Sequence, residues 1–225
     1  MRNILYTLRF ELFLSSQLAI LFGALILPHT LFNNLLGPLL FILNLLAGML
    51  LLSKRSVLVW LAGSLLVVNA ILFVLATLSG SFSKTMDFIR MGSYFLFYLF
   101  VTLEIIHQIW HAREVSKNVI FGLMSGYLGL GLIGFFVCLS IEMAFPGSFQ
   151  GLLITPGMSP EDLTGQLMYF SFITLLTIGY GDIAPVTELA QKGAVLIGLI
   201  GQFYLVIITA VVMGKFVNQR MGNNP

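Results

Sequence analysis

The sequence predicts an all-α membrane protein, and three observations lead to that fold class. Hydrophobic residues make up 58% of the 225 residues and charged residues only 9%, whereas a soluble domain carries about a quarter charged residues. Long apolar runs recur along nearly the whole chain, and a helix needs about 20 apolar residues to cross a hydrocarbon core of about 30 Å. One further apolar run is too short to cross. We therefore expect six transmembrane helices and one re-entrant half-helix.

Six apolar runs between charged or turn-rich breaks are the predicted spans. They cover residues 12–27, 39–52, 57–78, 88–110, 119–145 and 189–217. No small-residue cleavage site follows the first run, so we expect it to be retained as a helix and not removed as a signal peptide.

The short apolar run covers residues 163–176, within a Gly/Pro-rich region between the fifth and sixth spans. Glu161 and Asp162 stand directly before it, where negative charge favours a helix N-terminus. Ser159 is the candidate cap. A helix that starts here and cannot cross the membrane is predicted to enter and leave on the same side.

Basic residues predict the orientation, because cytoplasmic loops carry an excess of Lys and Arg. With both termini inside, eight basic residues lie on the inner side: Arg2, Arg9, Lys54, Arg55, Arg113, Lys117, Lys215 and Arg220. Three lie on the outer side: Lys84, Arg90 and Lys192. We expect a multi-pass protein of the cell membrane with cytoplasmic termini, and a minimal chain of this kind suits a prokaryotic cytoplasmic membrane.

Composition and spacing exclude other function classes. The formal net charge of +2, without a basic patch, gives no reason to expect a nucleic-acid partner. No paired carboxylates, nucleophile–base set or metal-ligand spacing occurs in the loops, so an enzyme is not expected, nor a cofactor. Asn44 and Asn69 are lone amides within spans and are expected to form interhelical hydrogen bonds.

The residues after the half-helix form a motif, Thr177-Ile178-Gly179-Tyr180-Gly181-Asp182. Non-helical backbone at membrane depth has to line water or be buried in protein, because unsatisfied backbone groups are costly in lipid. This motif resembles the signature sequence of the potassium channel family. The resemblance covers about residues 119–217 and implies a selectivity filter.

In such a filter, backbone carbonyl oxygens replace the water shell of K⁺. The resemblance implies K⁺ sites at Thr177, Ile178, Gly179 and Tyr180, with the Thr177 hydroxyl at the inner mouth. Gly179 and Gly181 allow positive φ angles, so that successive carbonyls point toward one axis. One chain supplies a quarter of each oxygen ring. We therefore expect a homotetramer in the lipid bilayer, with K⁺ as the permeant ion.

Three residues are expected to support the filter. Some family members pair the aspartate that follows the motif, here Asp182, with a half-helix carboxylate, but Ile173 stands at that position. We expect Asp182 to bond to Tyr169 instead. The resemblance also implies that Glu142, near the outer end of the fifth span, braces the loop behind the filter. A simple interfacial carboxylate explains Glu142 nearly as well.

The family's flexible inner-helix glycine corresponds to Gly201, and Gly198 stands close by. These glycines predict a gating hinge. Close helix packing explains them equally well, as it does the small residues of the fifth span.

The resemblance divides the chain into two domains. Residues 1–117 take the place of a voltage-sensing four-helix domain, and residues 118–225 that of a pore domain. The pore domain is predicted to contain an outer helix (119–145), an extracellular loop (146–162), a pore half-helix (163–176), the filter (177–182) and an inner helix (189–217).

The fourth span lacks the arginine array of the voltage-gated branch and holds only Arg90, beside Asp87. One charge is worth about 2.3 kcal/mol per 100 mV, and steep voltage dependence takes several per subunit. We expect little or no voltage sensing.

An ionisable cluster near the inner end of the fourth span is formed by Glu104, His107 and His111. Their spacing places them on one helical face. One interpretation is a sensor of internal pH, because histidine titrates near neutrality. The other is a polar helix end that reaches the membrane interface.

Three other functions remain open at this point. A potassium uptake transporter carries four degenerate filter loops in each chain, whereas this chain has one intact loop. A weakly selective cation channel normally has a changed tyrosine or second glycine, and both Tyr180 and Gly181 are present. A non-conducting, regulatory subunit would act through its first four spans.

Overall fold

The computed structural model describes residues 8–26, 36–52, 56–79, 84–112, 114–153 and 160–222. Of the residues named above, Arg2, Lys54, Arg55, Arg113 and Ser159 lie outside these ranges.

Helices account for nearly all of the described chain, as its composition predicts. In chain order they are α1 (Arg9–Phe22), α2 (Gly37–Leu52), α3 (Ser56–Ser79), α4 (Lys84–His111), α5 (Lys117–Ala144), α6 (Pro160–Leu175), α7 (Glu188–Phe203) and α8 (Thr209–Gly222). A π-helical turn, Tyr204–Ile208, joins α7 to α8 without a break. Two short strands, β1 (Phe149–Gln150) and β2 (Ala184–Pro185), pair antiparallel.

Three of the described helices are long and apolar enough to cross a membrane: Phe88–His111, Lys117–Ala144 and Glu188–Met221. Three apolar segments are shorter: Leu39–Leu52, Ser56–Leu72 and Leu163–Leu175. The last of these is the predicted half-helix. Its helix starts at Pro160, three residues earlier than predicted, and proline suits a first helical turn because its missing N–H has no partner there in any case.

The chain forms two compact units. The first comprises residues 1–129 together with 215–225, and the second comprises residues 130–214. The predicted domains, 1–117 and 118–225, divide the chain by expected role and stay a prediction.

A buried hydrogen-bonded cluster joins three helices of the first unit. Asn44 of α2 has no exposed surface. Its Nδ2 donates to the Ser16 hydroxyl of α1 at 2.7 Å, and the Tyr98 hydroxyl of α4 donates to its Oδ1 at 2.7 Å. Polar groups in apolar surroundings are costly unless they are paired. Asn44 is therefore an interhelical partner, as predicted.

The end of α8 contacts the end of α4 within the first unit. The Lys215 ammonium donates to the carbonyls of Ile109, at 3.0 Å, and Trp110. These carbonyls belong to the last turn of α4, where helix geometry provides no N–H partner and the helix dipole favours a cation. One turn further along α8, Gln219 accepts a hydrogen bond from the Val115 amide at 3.1 Å.

In the second unit, small residues let α6 lie close to α5. The Ser171 hydroxyl of α6 donates to the Gly131 carbonyl of α5 at 2.8 Å. A Cβ at Gly131 would overlap the Phe172 ring, and one at Gly134 would overlap Ser171 and crowd Ile197. These contacts fix the half-helix that precedes the predicted filter.

Candidate functional site

The half-helix α6 leads directly into the predicted filter. After Leu175 the chain turns tightly, with the Thr177 amide donating to the Thr174 carbonyl at 3.0 Å. The Ile178 amide donates to the Ile173 carbonyl at 2.9 Å. The C-terminal end of α6 therefore lies beside Thr177, and this end of a helix carries partial negative charge, which attracts cations.

The backbone of the filter segment, residues 177–182, alternates in handedness. Thr177, Gly179 and Gly181 have positive φ angles of 58°, 57° and 81°. Ile178 and Tyr180, which stand between them, are not among the positive-φ residues. Alternation of positive and negative φ angles can turn successive carbonyls toward the same side, which an ordinary strand does not do. Glycine adopts the left-handed conformation at no steric cost.

Thr177 shares that left-handed conformation although it is β-branched. A positive φ is a genuine outlier for such a residue. Backbone strain of this kind costs roughly 1–3 kcal/mol and clusters at functional sites, where the surroundings impose it. The strained backbone at Thr177 therefore marks the start of the filter segment as a candidate functional site.

The large side chains of the filter segment are exposed on the single chain. Ile178 is 48% exposed and Tyr180 is 71% exposed. Exposed apolar side chains of a membrane protein are covered either by lipid or by another protein chain.

The end of the filter segment bonds back to α6. The Tyr169 hydroxyl donates to Asp182 Oδ2 at 2.8 Å, which is the pairing that the spacing predicts. This hydrogen bond to Asp182 raises the pKa of Tyr169. The phenol therefore stays protonated, and able to donate, at neutral pH.

Glu142 lies near the end of α5 and is buried. Its carboxylate accepts hydrogen bonds from the amides of Gly147, at 2.6 Å, and Phe149, at 3.2 Å. Phe149 is buried in turn, and its ring lies 5.1 Å from that of Phe170 on α6. Glu142 thus holds the α5–α6 loop, whose described part is residues 145–153.

Comparison with known proteins gives a family match, and this match includes the filter segment. Residues 151–218 match a protein family described as ion channel. No curated protein and no solved structure matches the chain.

The matched ion channel domain contains α6, the filter segment and most of the last long helix. A channel family points to transport and away from catalysis, so the prediction that the chain is not an enzyme is confirmed. Together with the apolar helices, the ion channel domain indicates a membrane protein.

The predicted hinge glycines have different surroundings. Gly201 is buried, and a Cβ there would overlap the side chain and carbonyl of Leu175 at the end of α6. A Cβ added at Gly198 would meet no atom within 4 Å. The helix changes to π geometry at Tyr204, three residues after Gly201. Single π turns within α-helices are frequent at functional sites.

The three ionisable residues of α4 have different environments. Glu104 is buried and accepts a hydrogen bond from Gln108 Nε2 at 3.0 Å. His107 and His111 are exposed, and their ring centroids lie 4.2 Å apart. In the part of the chain that the structure describes, no group of three His, Cys, Asp or Glu side chains is arranged to hold a metal ion.

Several contacts at the site cannot be read from the sequence. The hydrogen bond from Ser171 to Gly131 joins positions 40 residues apart. The pairing of β1 with β2 places Phe149 opposite Pro185 and Gln150 opposite Ala184. The glycines of α5 predict close packing, but they do not predict which helix packs against them.

Proposed function

We propose that this protein is the subunit of a potassium-selective ion channel, which conducts K⁺ passively through a tetrameric pore. The observation that carries the proposal is the alternation of backbone handedness at Thr177, Gly179 and Gly181, directly after a half-helix. Backbone of this kind is suited to presenting a column of carbonyl oxygens. Carbonyl rings replace the hydration shell of K⁺ in filters with this sequence.

Binding sites in the filter are assigned to the carbonyls of Thr177, Ile178, Gly179 and Tyr180, with the Thr177 hydroxyl at the inner end. The negative end of α6 stabilises a cation as it enters. Tyr169 and Asp182 hold the outer end of the filter, and Glu142 holds the loop behind it.

Four copies of the chain are proposed to surround one axis, because the sequence contains one filter motif and supplies one oxygen to each ring. The exposed Ile178 and Tyr180 side chains support this assembly, since neighbouring subunits would cover them. The last long helix also has the least buried apolar window of the three candidate spans, at 22% against 56% for Lys117–Ala144.

The remaining apolar helices, α1 to α3, are proposed to cross the membrane as well, which gives six spans with both termini inside. The excess of Lys and Arg on the inner side supports this topology. Because α4 carries one arginine in place of an array, we propose that opening depends little on voltage.

The proposal is tested by reconstituting the full chain in liposomes and comparing K⁺ flux with Na⁺ flux. We expect K⁺ flux with little Na⁺ flux. Equal fluxes would indicate a weakly selective cation channel, and no flux for either ion would indicate a non-conducting subunit. Either outcome would overturn the proposal. Chemical cross-linking of the purified protein in the same liposomes should give a tetramer band.

A further inference from the structure

The α5–α6 loop approaches the backbone of the filter segment at Gly151. Strand β1 ends at Gln150 and pairs with β2, which follows the filter segment. Gly151 comes next and has a φ of +84°. The Val186 amide adds a further hydrogen bond to this pairing, donating to the Ser148 carbonyl at 2.9 Å. This hydrogen bond extends the pairing on one side of the two strands, and Gly151 follows on the other side.

A side chain at Gly151 would have no room. An added Cβ would overlap the Asp182 carbonyl oxygen, and would lie 3.0 Å from the carbonyl carbon and 3.2 Å from the Ile183 Cα. All three atoms belong to the backbone, so no rotation of a side chain can relieve the overlap. Any residue except glycine would therefore displace either the loop or the end of the filter segment.

The loop is held by hydrogen bonds to Glu142 and by packing of Phe149. The buried Glu142 carboxylate fixes the amides of Gly147 and Phe149. Phe149 is 3% exposed and packs against Phe170. Asp182, in contrast, is exposed and follows directly after Gly181. The hydrogen bond from Tyr169 holds Asp182, so we expect a displacement to strain this bond and to reach the filter segment.

We propose that Gly151 is a positioning residue for the filter: its bare backbone supports the Asp182 carbonyl and sets the place of the outermost carbonyl ring. This inference rests on the proposed potassium channel function and adds a residue that lies 26 positions before the motif, outside it in sequence. Glycine at this position allows the loop backbone to reach Asp182 without a side chain between them.

Gly147 offers a matched control in the same loop. Its φ is also +84°, but a Cβ there would meet no atom within 4 Å. Both positions thus have a φ that disfavours alanine, and only alanine at Gly151 brings the overlap with Asp182.

The test compares Gly151→Ala with Gly147→Ala in the full-length protein, reconstituted in liposomes beside the wild type. We expect Gly151→Ala to lower the ratio of K⁺ flux to Na⁺ flux by about tenfold or more, because small displacements at a preorganised site have effects of this size. Gly147→Ala should keep the wild-type ratio. A merely structural role would reduce both fluxes together and leave the ratio unchanged.

The outcomes separate this inference from the function on which it depends. A wild type without K⁺ preference overturns the proposed function. A selective wild type with equal ratios for both variants overturns the role of Gly151 alone. If Gly151→Ala does not assemble by itself, it is co-reconstituted with an excess of wild-type subunits. Mixed channels with a lowered ratio then support the proposal, and mixed channels with the wild-type ratio contradict it.

Discussion

The two compact units use polar groups in opposite ways. In the first unit, the Asn44 side chain forms buried hydrogen bonds with the hydroxyls of Ser16 and Tyr98. In the second unit, the polar contacts of Tyr169 and Glu142 end on the filter segment or on the loop behind it. The first arrangement joins helices, whereas the second shapes a stretch of backbone.

Under the proposed function, this difference assigns conduction to the second unit. In the second unit, the side chains support the filter segment, in which backbone carbonyls are the proposed ion ligands. In the first unit, the hydrogen bonds of the Asn44 cluster join one side chain to another and do not reach the filter segment. Substitutions in the second unit should therefore change which ion passes, whereas substitutions in the first should change stability.

The largest effect is expected at Gly179. Alanine at a position with φ of 57° is strained, and the strain would turn the adjacent carbonyls away from the axis. We expect Gly179→Ala to lose selective K⁺ flux in liposomes. Gly165→Ala on α6 is the control, because a Cβ meets no atom within 4 Å at either glycine. Equal loss of selective K⁺ flux in Gly179→Ala and Gly165→Ala would contradict a specific role for the backbone at Gly179.

A smaller effect is expected for Tyr169→Phe, which removes the hydrogen bond to Asp182 and leaves the ring in place. The end of the filter segment then loses its hydrogen bond to α6, so we expect K⁺ current to decline faster during sustained opening. Because this bond raises the pKa of Tyr169, its contribution is complete at neutral pH and is lost only as the pH rises through that raised value. The decay of K⁺ current with time, recorded in planar bilayers at neutral and alkaline pH, tests the faster decline and its pH dependence. Identical decay in the variant and the wild type would show that Tyr169 has no such role.

Substitutions in the first unit should change stability and spare selectivity. Asn44→Leu removes the hydrogen bonds that Asn44 makes with the buried hydroxyls of Ser16 and Tyr98, which costs about 1–3 kcal/mol. Tyr98→Phe removes one bond and should cost less, about 0.6–1.7 kcal/mol in a membrane protein. Thermal unfolding in detergent gives this order, while the ratio of K⁺ to Na⁺ flux stays at the wild-type value. A changed ratio would mean that the first unit contributes to selectivity.

The smallest effect is expected for Arg90→Gln. A single charge contributes at most about 2.3 kcal/mol per 100 mV, even if it crosses the whole field. Conductance–voltage curves of the variant and the wild type should therefore nearly coincide. A steep voltage dependence that disappears in Arg90→Gln would assign a sensing role to α4.

The parts of the site that the sequence predicts are those set by local spacing. The half-helix, the filter segment and the hydrogen bond from Tyr169 to Asp182 lie within 23 consecutive residues, from Pro160 to Asp182. Helix periodicity and the positions of the glycines determine much of their geometry. The prediction of a helical membrane protein follows similarly from composition, which is averaged over the whole chain.

Other features depend on tertiary packing and have no local signal. Gly151 is an ordinary loop glycine in the sequence, and its meeting with Asp182 needs the pairing of β1 with β2. Thr177 has a residue type that disfavours positive φ, so propensity alone predicts the wrong backbone conformation. The π turn at Tyr204–Ile208 lies in an apolar run with unbroken helical character. In each case the surroundings override the local preference.

The most direct test of the central claim is the reversal potential of the wild-type protein in a planar bilayer, with equal concentrations of K⁺ on one side and Na⁺ on the other. A filter of carbonyl rings selects K⁺, so the current should reverse at a voltage far from zero, in the direction that opposes K⁺ efflux from the K⁺ side. Reversal near zero would mean that both ions pass equally, and would contradict the assignment of residues 177–181 as a potassium filter.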